Sequence, residues 1–385
     1  MMPDRGSSAG RSLALLHPVF LLTGVLHAMG GPLLPSIAMT FSLNDSQCGL
    51  LFLLYSVGNS LGALLCTGRY ARAMVIGFVV VVLCCSSIAF LPWPTLLVAF
   101  GCLGVGVGLP MSAVSLFVGR SFPTRSAPLL ALLNFSWSLG ALAAPLLAAL
   151  ILAHAGFRVA YVLLAACAVV AACACGLILE DVPEAASQQA SLGTRNHLGV
   201  IAVFGLACFL QVGIESTATA WLSTYALRTT SSSAAFAAAL SAFYWIGFLV
   251  SRAATPVVLL RIKAKILVRA AIPLALVVAI LLVAAYNQVI AGAAMFFLGV
   301  MLAPIYPLMV AESFRHVRQT GDSRWILAAA GFGGSVLPWL TGSISAQSDN
   351  IRIGLLTVPA ALLLMIFLLP LLFRSSAPPS SQALT

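Results

Sequence analysis

One acidic side chain, Glu215, lies deep inside an otherwise charge-free stretch of this 385-residue chain, about the eighteenth residue of the run that starts at Leu198. A charge in the middle of a membrane-spanning helix costs ~2.5–3.5 kcal/mol on insertion scales, so such a group faces a cavity or a partner. A carboxyl there can bind the hydroxyls of a small solute or carry a proton. The alternative is a structural hydrogen bond between helices. Gln211, Glu215, Thr219 and Ser223 recur every four residues, which puts them on one slowly drifting helix face. His27 lies mid-way along the run Ser12–Asn44, 184 residues before Gln211. Its imidazole can hydrogen-bond a neutral solute or take up a proton near neutral pH; a plain interhelical donor is the other reading.

Amides and rings at helical spacing accompany these two. Asn134, Trp137 and Ser138 share a face; Tyr244 and Trp245 are adjacent; Tyr306 stands between Pro304 and Pro307; Trp339 follows Pro338. Aromatic faces stack on the C–H faces of sugars while amides and carboxyls bind hydroxyls, although the same types also serve as packing and interfacial residues. The expected solute-binding set is therefore His27, Asn134, Trp137, Gln211, Glu215, Thr219, Tyr244, Tyr306 and Trp339, with Glu215 and His27 as coupling groups. Arg252, buried or near the end of its apolar run, reads as a gating or structural residue, with binding of a substrate anion as the alternative. Arg69 and Arg72 read as anchors that also latch a gate.

Other chemistry is missing. No Gly-rich phosphate loop, metal-ligand cluster or Ser/His/Asp arrangement occurs at usable spacing, and Gly104-Val-Gly-Val-Gly108 lies inside an apolar helix. The nine cysteines fall within apolar runs and read as buried free thiols. Neither an enzyme nor a metal or organic cofactor is expected.

The elements that position these groups follow from composition. Apolar residues make up 61% of the chain and charged residues 7%, against roughly 25% charged in a soluble domain. Mean hydropathy is +1.09. Charge-free runs of 20 residues or more recur from end to end, each long enough to cross a bilayer as a helix. A soluble enzyme, a nucleic-acid binder and a disulfide scaffold are excluded. The charge-free runs are Ser12–Asn44, Ser46–Gly68, Ala73–Gly119, Ser126–Phe157 and Val159–Leu179, then Ala270–Ala311, Trp325–Ser348 and Ile353–Phe373. Between the two sets lie the apolar runs Leu198–Leu227, which carries Glu215, and Thr229–Leu260, which carries Arg252. Pro92-Trp93-Pro94 splits the third, and Tyr286-Asn287-Gln288 splits Ala270–Ala311, giving twelve spans, six on each side of the polar stretch Glu180–His197.

Basic residues orient them. With the N-terminus inside, fifteen of the 19 Lys and Arg residues fall in cytoplasmic segments. Arg158, Arg228 and Arg352 fall outside, and Arg252 lies within a span. That bias predicts both termini cytoplasmic and explains the net charge of +10 without an anionic partner.

The halves also repeat. Leu103-Gly104-Val105 with Arg120 recurs 195 residues on as Leu298-Gly299-Val300 with Arg315; Gly140-x4-Pro145 recurs 193 on as Gly333-x4-Pro338; Tyr55-x2-Gly58 with Arg72 recurs 189 on as Tyr244-x2-Gly247 with Arg261. The expected fold is an all-α membrane protein of 12 transmembrane helices in two pseudo-symmetric six-helix bundles. The expected division is residues 1–179 and 199–374 as the bundles, 180–198 as a cytoplasmic linker and 375–385 as a cytoplasmic tail.

Gln47-Cys-Gly49 through Tyr55-x2-Gly58-x3-Gly62, followed by Gly68-Arg69 and Arg72, resembles the span 2 and loop signature of the major facilitator superfamily, without the usual loop acid. Gly156-Phe157-Arg158 resembles its turn before span 6. Phe209-Leu-Gln-Val-Gly213-Ile-Glu215 with Trp221 and Tyr225, Leu133-Asn134…Gly140…Pro145, Pro304-Ile-Tyr306-Pro307, and Gly331-Phe-Gly-Gly-Ser-Val-Leu-Pro338 are similar to the fucose permease-like sugar-porter branch. The acids of that branch in spans 1 and 4 are absent here: span 1 has His27, and Thr95–Gly119 has no ionisable side chain.

The resemblance implies a secondary active or facilitative transporter, working by alternating access on a small polar solute, most simply a sugar. It implies H⁺ or Na⁺ as coupling ion, a monomer, no nucleic-acid partner, and a place in a bacterial inner (plasma) membrane. Efflux of amphipathic compounds or organic-anion transport is the alternative.

Overall fold

The structure is a computed structural model that describes residues 5–373 apart from 67, 123–124, 180–197, 231–232 and 317–319. The expected tail, and the expected linker except Leu198, lie outside the described residues. All regular structure among the described residues is helical, in twelve spans. Span 1 is Arg5–Ala28 continued by Gly30–Phe41, span 2 Asp45–Leu65, span 3 Tyr70–Ile88, span 4 Leu96–Ser121, span 5 Ser126–His154 and span 6 Phe157–Ile178. Span 7 is Leu198–Thr229, span 8 Ala234–Leu259, span 9 Ala264–Ala284, span 10 Gln288–Leu302 continued by Ile305–His316, span 11 Thr320–Ser348, and span 12 Ile351–Leu355 continued by Thr357–Leu372. Among the described residues, eleven spans are by length and composition apolar enough to cross a membrane. Span 11 has the length but carries Gly331, Gly333, Gly334, Thr341 and Ser345, and it packs against both span 2 and span 7 rather than facing lipid all round.

Proline interrupts two of the spans next to candidate ligands. Pro32 has no N–H to give the Ala28 carbonyl, and span 1 breaks at Met29, two residues after His27. Pro304 and Pro307 do the same to span 10, which breaks at Ala303–Pro304.

Packing repeats between the halves. Span 1 packs on span 5, span 2 on span 4 and span 3 on span 6; correspondingly span 7 packs on span 11, span 8 on span 10 and span 9 on span 12. Glycine permits the closest crossings. A Cβ at Gly58 would collide with the Gly101 carbonyl and one at Gly247 with the Phe296 carbonyl; one at Gly104 would strike Tyr55 and one at Gly299 would strike Tyr244. The same holds for Gly140 against Leu21 and Gly333 against Phe209. This last pair fixes the register between spans 1 and 7 at 188 residues, one helical turn from the 184 suggested by the sequence. His27 is thus the counterpart of Glu215, not of Gln211. Four residues keep a side chain on the same helix face, so periodicity alone cannot distinguish the two registers.

The halves meet through spans 2 and 11, spans 5 and 8, and spans 1 and 7. Only the Gly30–Phe41 part of span 1 packs on spans 7 and 8, while Arg5–Ala28 packs on spans 4, 5 and 6 of its own half. The bundles are therefore closed together at the end carrying loops 1–2, 7–8 and 11–12. Of the nine cysteines, Cys102, Cys167 and Cys173 are exposed rather than buried, on helix faces turned away from the core.

Candidate solute-binding site

Glu215 sits half-buried in mid-span, where Gln211 one turn earlier donates from Nε2 to its Oε1 at 2.9 Å. The same amide donates to the Leu302 carbonyl at 3.1 Å. Leu302 is the last residue before the break in span 10, so the prolines that interrupt that helix help place a backbone acceptor beside span 7. Tyr244 of span 8, Tyr306 beyond the break and the Arg252 guanidinium all lie within electrostatic reach of the Glu215 carboxyl.

His27 occupies the equivalent place in the first half. Its Nδ1 is 3.5 Å from Tyr55 Oη, and Tyr55 is the counterpart of Tyr244. Its ring is 5.4 Å from Trp137 of span 5, which meets Trp245 of span 8 edge-on at 5.9 Å. Trp245 in turn contacts Tyr244 and Phe248, each at 5.3 Å between centroids. A continuous row of rings thus crosses from one half to the other. Arg252 closes it, with its guanidinium 4.5 Å above Phe248 and Nη1 donating to Ser138 Oγ of the first half at 3.0 Å.

Three polar atoms in this row have no hydrogen-bond partner among the described residues: Tyr244 Oη, Trp137 Nε1 and Gln211 Oε1. Tyr244 is 1% exposed and Gln211 fully buried. Buried polar groups are nearly always paired, so unmatched ones clustered between two bundles mark positions for a solute or water. Together they offer one acceptor, one donor and one group that is both, besides the carboxyl and imidazole. No group of described residues could hold a metal ion.

The structure brings together His27, Trp137, Gln211, Glu215, Tyr244 and Tyr306 from the expected set, and joins Arg252 to them. Three expected ligands stand differently. The Asn134 amide is exposed and donates to its own helix at the Leu130 carbonyl. Thr219 Oγ1 donates to the Glu215 carbonyl, and its backbone is the crossing point for Gly31. Trp339 is 37% exposed, its backbone packed on Gly49 of span 2. Tyr55 and Phe248 join the site without having been expected there, although Tyr55 opens the repeated motif that contains Tyr244. Arg69 and Arg72 are exposed at the start of span 3.

A second polar cluster closes the far end of the interface. Nη1 and Nη2 of Arg228 donate to Oδ2 and Oδ1 of Asp45, at 2.6 Å each, and Ser345 Oγ donates to the same carboxylate at 2.5 Å. Asp45 opens span 2 next to its Asn44–Gln47 capping box, Arg228 ends span 7 and Ser345 lies near the end of span 11. The cluster borders a cavity of about 610 Å³ that Asp349, Asn350 and Arg352 also line.

The family model for the Major Facilitator Superfamily matches residues 16–323. By structure the chain is similar to the nucleoside transporter NupG (TM-score 0.73, 13% identity, covering 95% of this chain and 98% of that one). It is similar to a D-xylose–proton symporter (TM-score 0.75, 14% identity, 93% and 97% covered). It is also similar to the transporter FucP in the outward conformation (TM-score 0.64, 19% identity, 94% and 99% covered). No curated protein matches by sequence.

Proposed function

The chain belongs to the Major Facilitator Superfamily, and we propose that within it this protein is a secondary transporter of a small polyhydroxylated solute, most simply a sugar, working by alternating access. The bundles at 1–179 and 199–374 rock about the solute, which binds between them in the row of rings. Similar structures include transporters whose cargoes are a pentose, a nucleoside and, for FucP, fucose with a proton, all ring-shaped and rich in hydroxyls. The observation that carries the reading is the pairing of His27 with Glu215 at equivalent positions of the two halves, beside the unmatched Tyr244 hydroxyl and Gln211 carbonyl oxygen. Hydroxyls of the solute meet those polar atoms, and its C–H face lies against Trp137 and Trp245.

Glu215 is the coupling group, taking up a proton on one side and releasing it on the other, with His27 as its partner across the interface. The basic-residue bias supports an inner (plasma) membrane protein with both termini cytoplasmic, so the Asp45–Arg228–Ser345 cluster lies on the outer side. In that orientation the structure stands with the outer entrance closed.

Reconstituted in proteoliposomes, Glu215→Gln is expected to keep sugar counterflow and to lose accumulation driven by a pH gradient. Unchanged behaviour in both assays would remove Glu215 from the mechanism.

A further inference from the structure

A neutral solute gives no reason for a guanidinium at the contact between spans 5 and 8. Arg252 sits there half-buried, its plane above Phe248 and one nitrogen donating to Ser138. A guanidinium has five N–H donors, and this hydrogen bond to Ser138 is the one Arg252 makes with the described residues. No carboxylate among them forms an ion pair with it; Glu215 acts on it from beyond ion-pair distance. A half-buried cation without a contacting anion has given up part of its hydration, and within a membrane such a group marks the path of a ligand or ion. The repeat sharpens the point, because the counterpart of Arg252 at the Tyr55–Tyr244 register is Ala63. The first half thus holds the corresponding place without a cation.

What surrounds Arg252 suits an anion that also carries hydroxyls. Tyr244 Oη and Gln211 Oε1, unpartnered and more than nine-tenths buried, belong to the same cluster, as does Trp137 Nε1. Planar guanidinium pairs with planar carboxylate through two parallel N–H···O bonds, and the donors of Arg252 not turned to Ser138 provide them. We propose that the solute is a hydroxylated monocarboxylic acid, such as a uronic or aldonic acid, whose carboxylate is received by Arg252 while its hydroxyls meet Tyr244, Gln211 and Glu215. This rests on the polyhydroxylated-solute reading above and adds a charge to it.

Matched probes test the charge. Galacturonate and galactose differ only in a carboxylate against a hydroxymethyl group, and gluconate and glucitol form an open-chain pair. Affinities are read by titration of the full-length protein in detergent, using quenching of tryptophan fluorescence, and uptake is read in proteoliposomes. A charge-assisted bidentate contact predicts that the wild type binds the acid of each pair roughly tenfold or more tightly than the neutral member. In Arg252→Gln that ratio is expected to fall to about one, and Arg252→Lys should keep part of it, showing that the loss follows the charge rather than a damaged fold.

Equal affinity of the wild type for acid and neutral sugar would overturn the carboxylate assignment and leave the sugar reading standing. So would a preference that survives in Arg252→Gln. Failure of all four probes to bind or move would overturn the polyhydroxylated-solute reading itself, and this inference with it.

Discussion

A buried hydroxyl without a partner does nothing for folding, and that of Tyr244 has none among the described residues. Tyr244→Phe removes it while keeping the ring contacts with Trp245 and Phe248. Its thermal stability is therefore expected to be unchanged or to rise, by up to ~1 kcal/mol, because no internal bond is lost and a desolvation cost disappears. Solute affinity should fall about five- to tenfold, since that hydroxyl would bond the solute. A melting temperature that drops while affinity holds would mean that the hydroxyl has a structural partner. The same criterion explains why residue type and helical face do not suffice to find ligands in the sequence. Thr219 lies on the face of Glu215 and Asn134 on that of Trp137, yet both bond to carbonyls of their own helices. Ser, Thr and Asn do this wherever a nearer acceptor is lacking. Side chains that cannot reach back to their own backbone, such as Tyr244, Trp137 and Arg252, are the better candidates.

At the scale of helices, the existence of twelve spans was legible because length and apolarity report crossings directly, and the splits at Pro92–Pro94 and Tyr286–Gln288 coincide with observed helix ends. The register between spans 1 and 7 was not legible. Both are rich in Leu, Ala and Gly, and one helical turn of slippage leaves the same face inward. Contact geometry sets it, through the collision that keeps Gly140 and Gly333 free of side chains. The two glycines do equivalent work, so Gly140→Ala and Gly333→Ala are each expected to destabilise by about 1–3 kcal/mol, as overpacking of a close crossing does. Both should show lowered melting temperatures in detergent. Gly119→Ala, whose methyl group would meet nothing within 4 Å, should leave stability unchanged or slightly improved. If Gly119→Ala lost as much stability as the other two, intolerance of any change in a helical glycine would replace the crossing account.

For the molecule as a whole, the Asp45–Arg228–Ser345 cluster ties three helix ends of both bundles into one closed entrance. Its members are separated by 183 and 300 residues, so no local pattern announces it, and a composition reading assigns Arg228 only to a loop. Asp45 is almost fully buried, whereas its partner Arg228 is 42% exposed over its side chain. Removing Arg228 would leave a buried carboxylate with only Ser345, which favours whichever conformation lets water reach it. Cys48 reports that change. It is 1% exposed, one turn along span 2 from Asp45, and lines a smaller cavity with Trp221 and Arg228. In a variant with Cys48 as the only cysteine, a membrane-impermeant maleimide added from outside should label slowly in the parent. Asp45→Asn and Arg228→Gln should each speed labelling several-fold by populating the outward-open state. Because both substitutions break one interaction, the double variant should label no faster than either single, the non-additivity expected of contacting residues. Labelling that stays slow in all three would show that the entrance is held by the packing of spans 1, 2, 7 and 11 and that the ion pair is incidental; additive acceleration would show that Asp45 and Arg228 act separately.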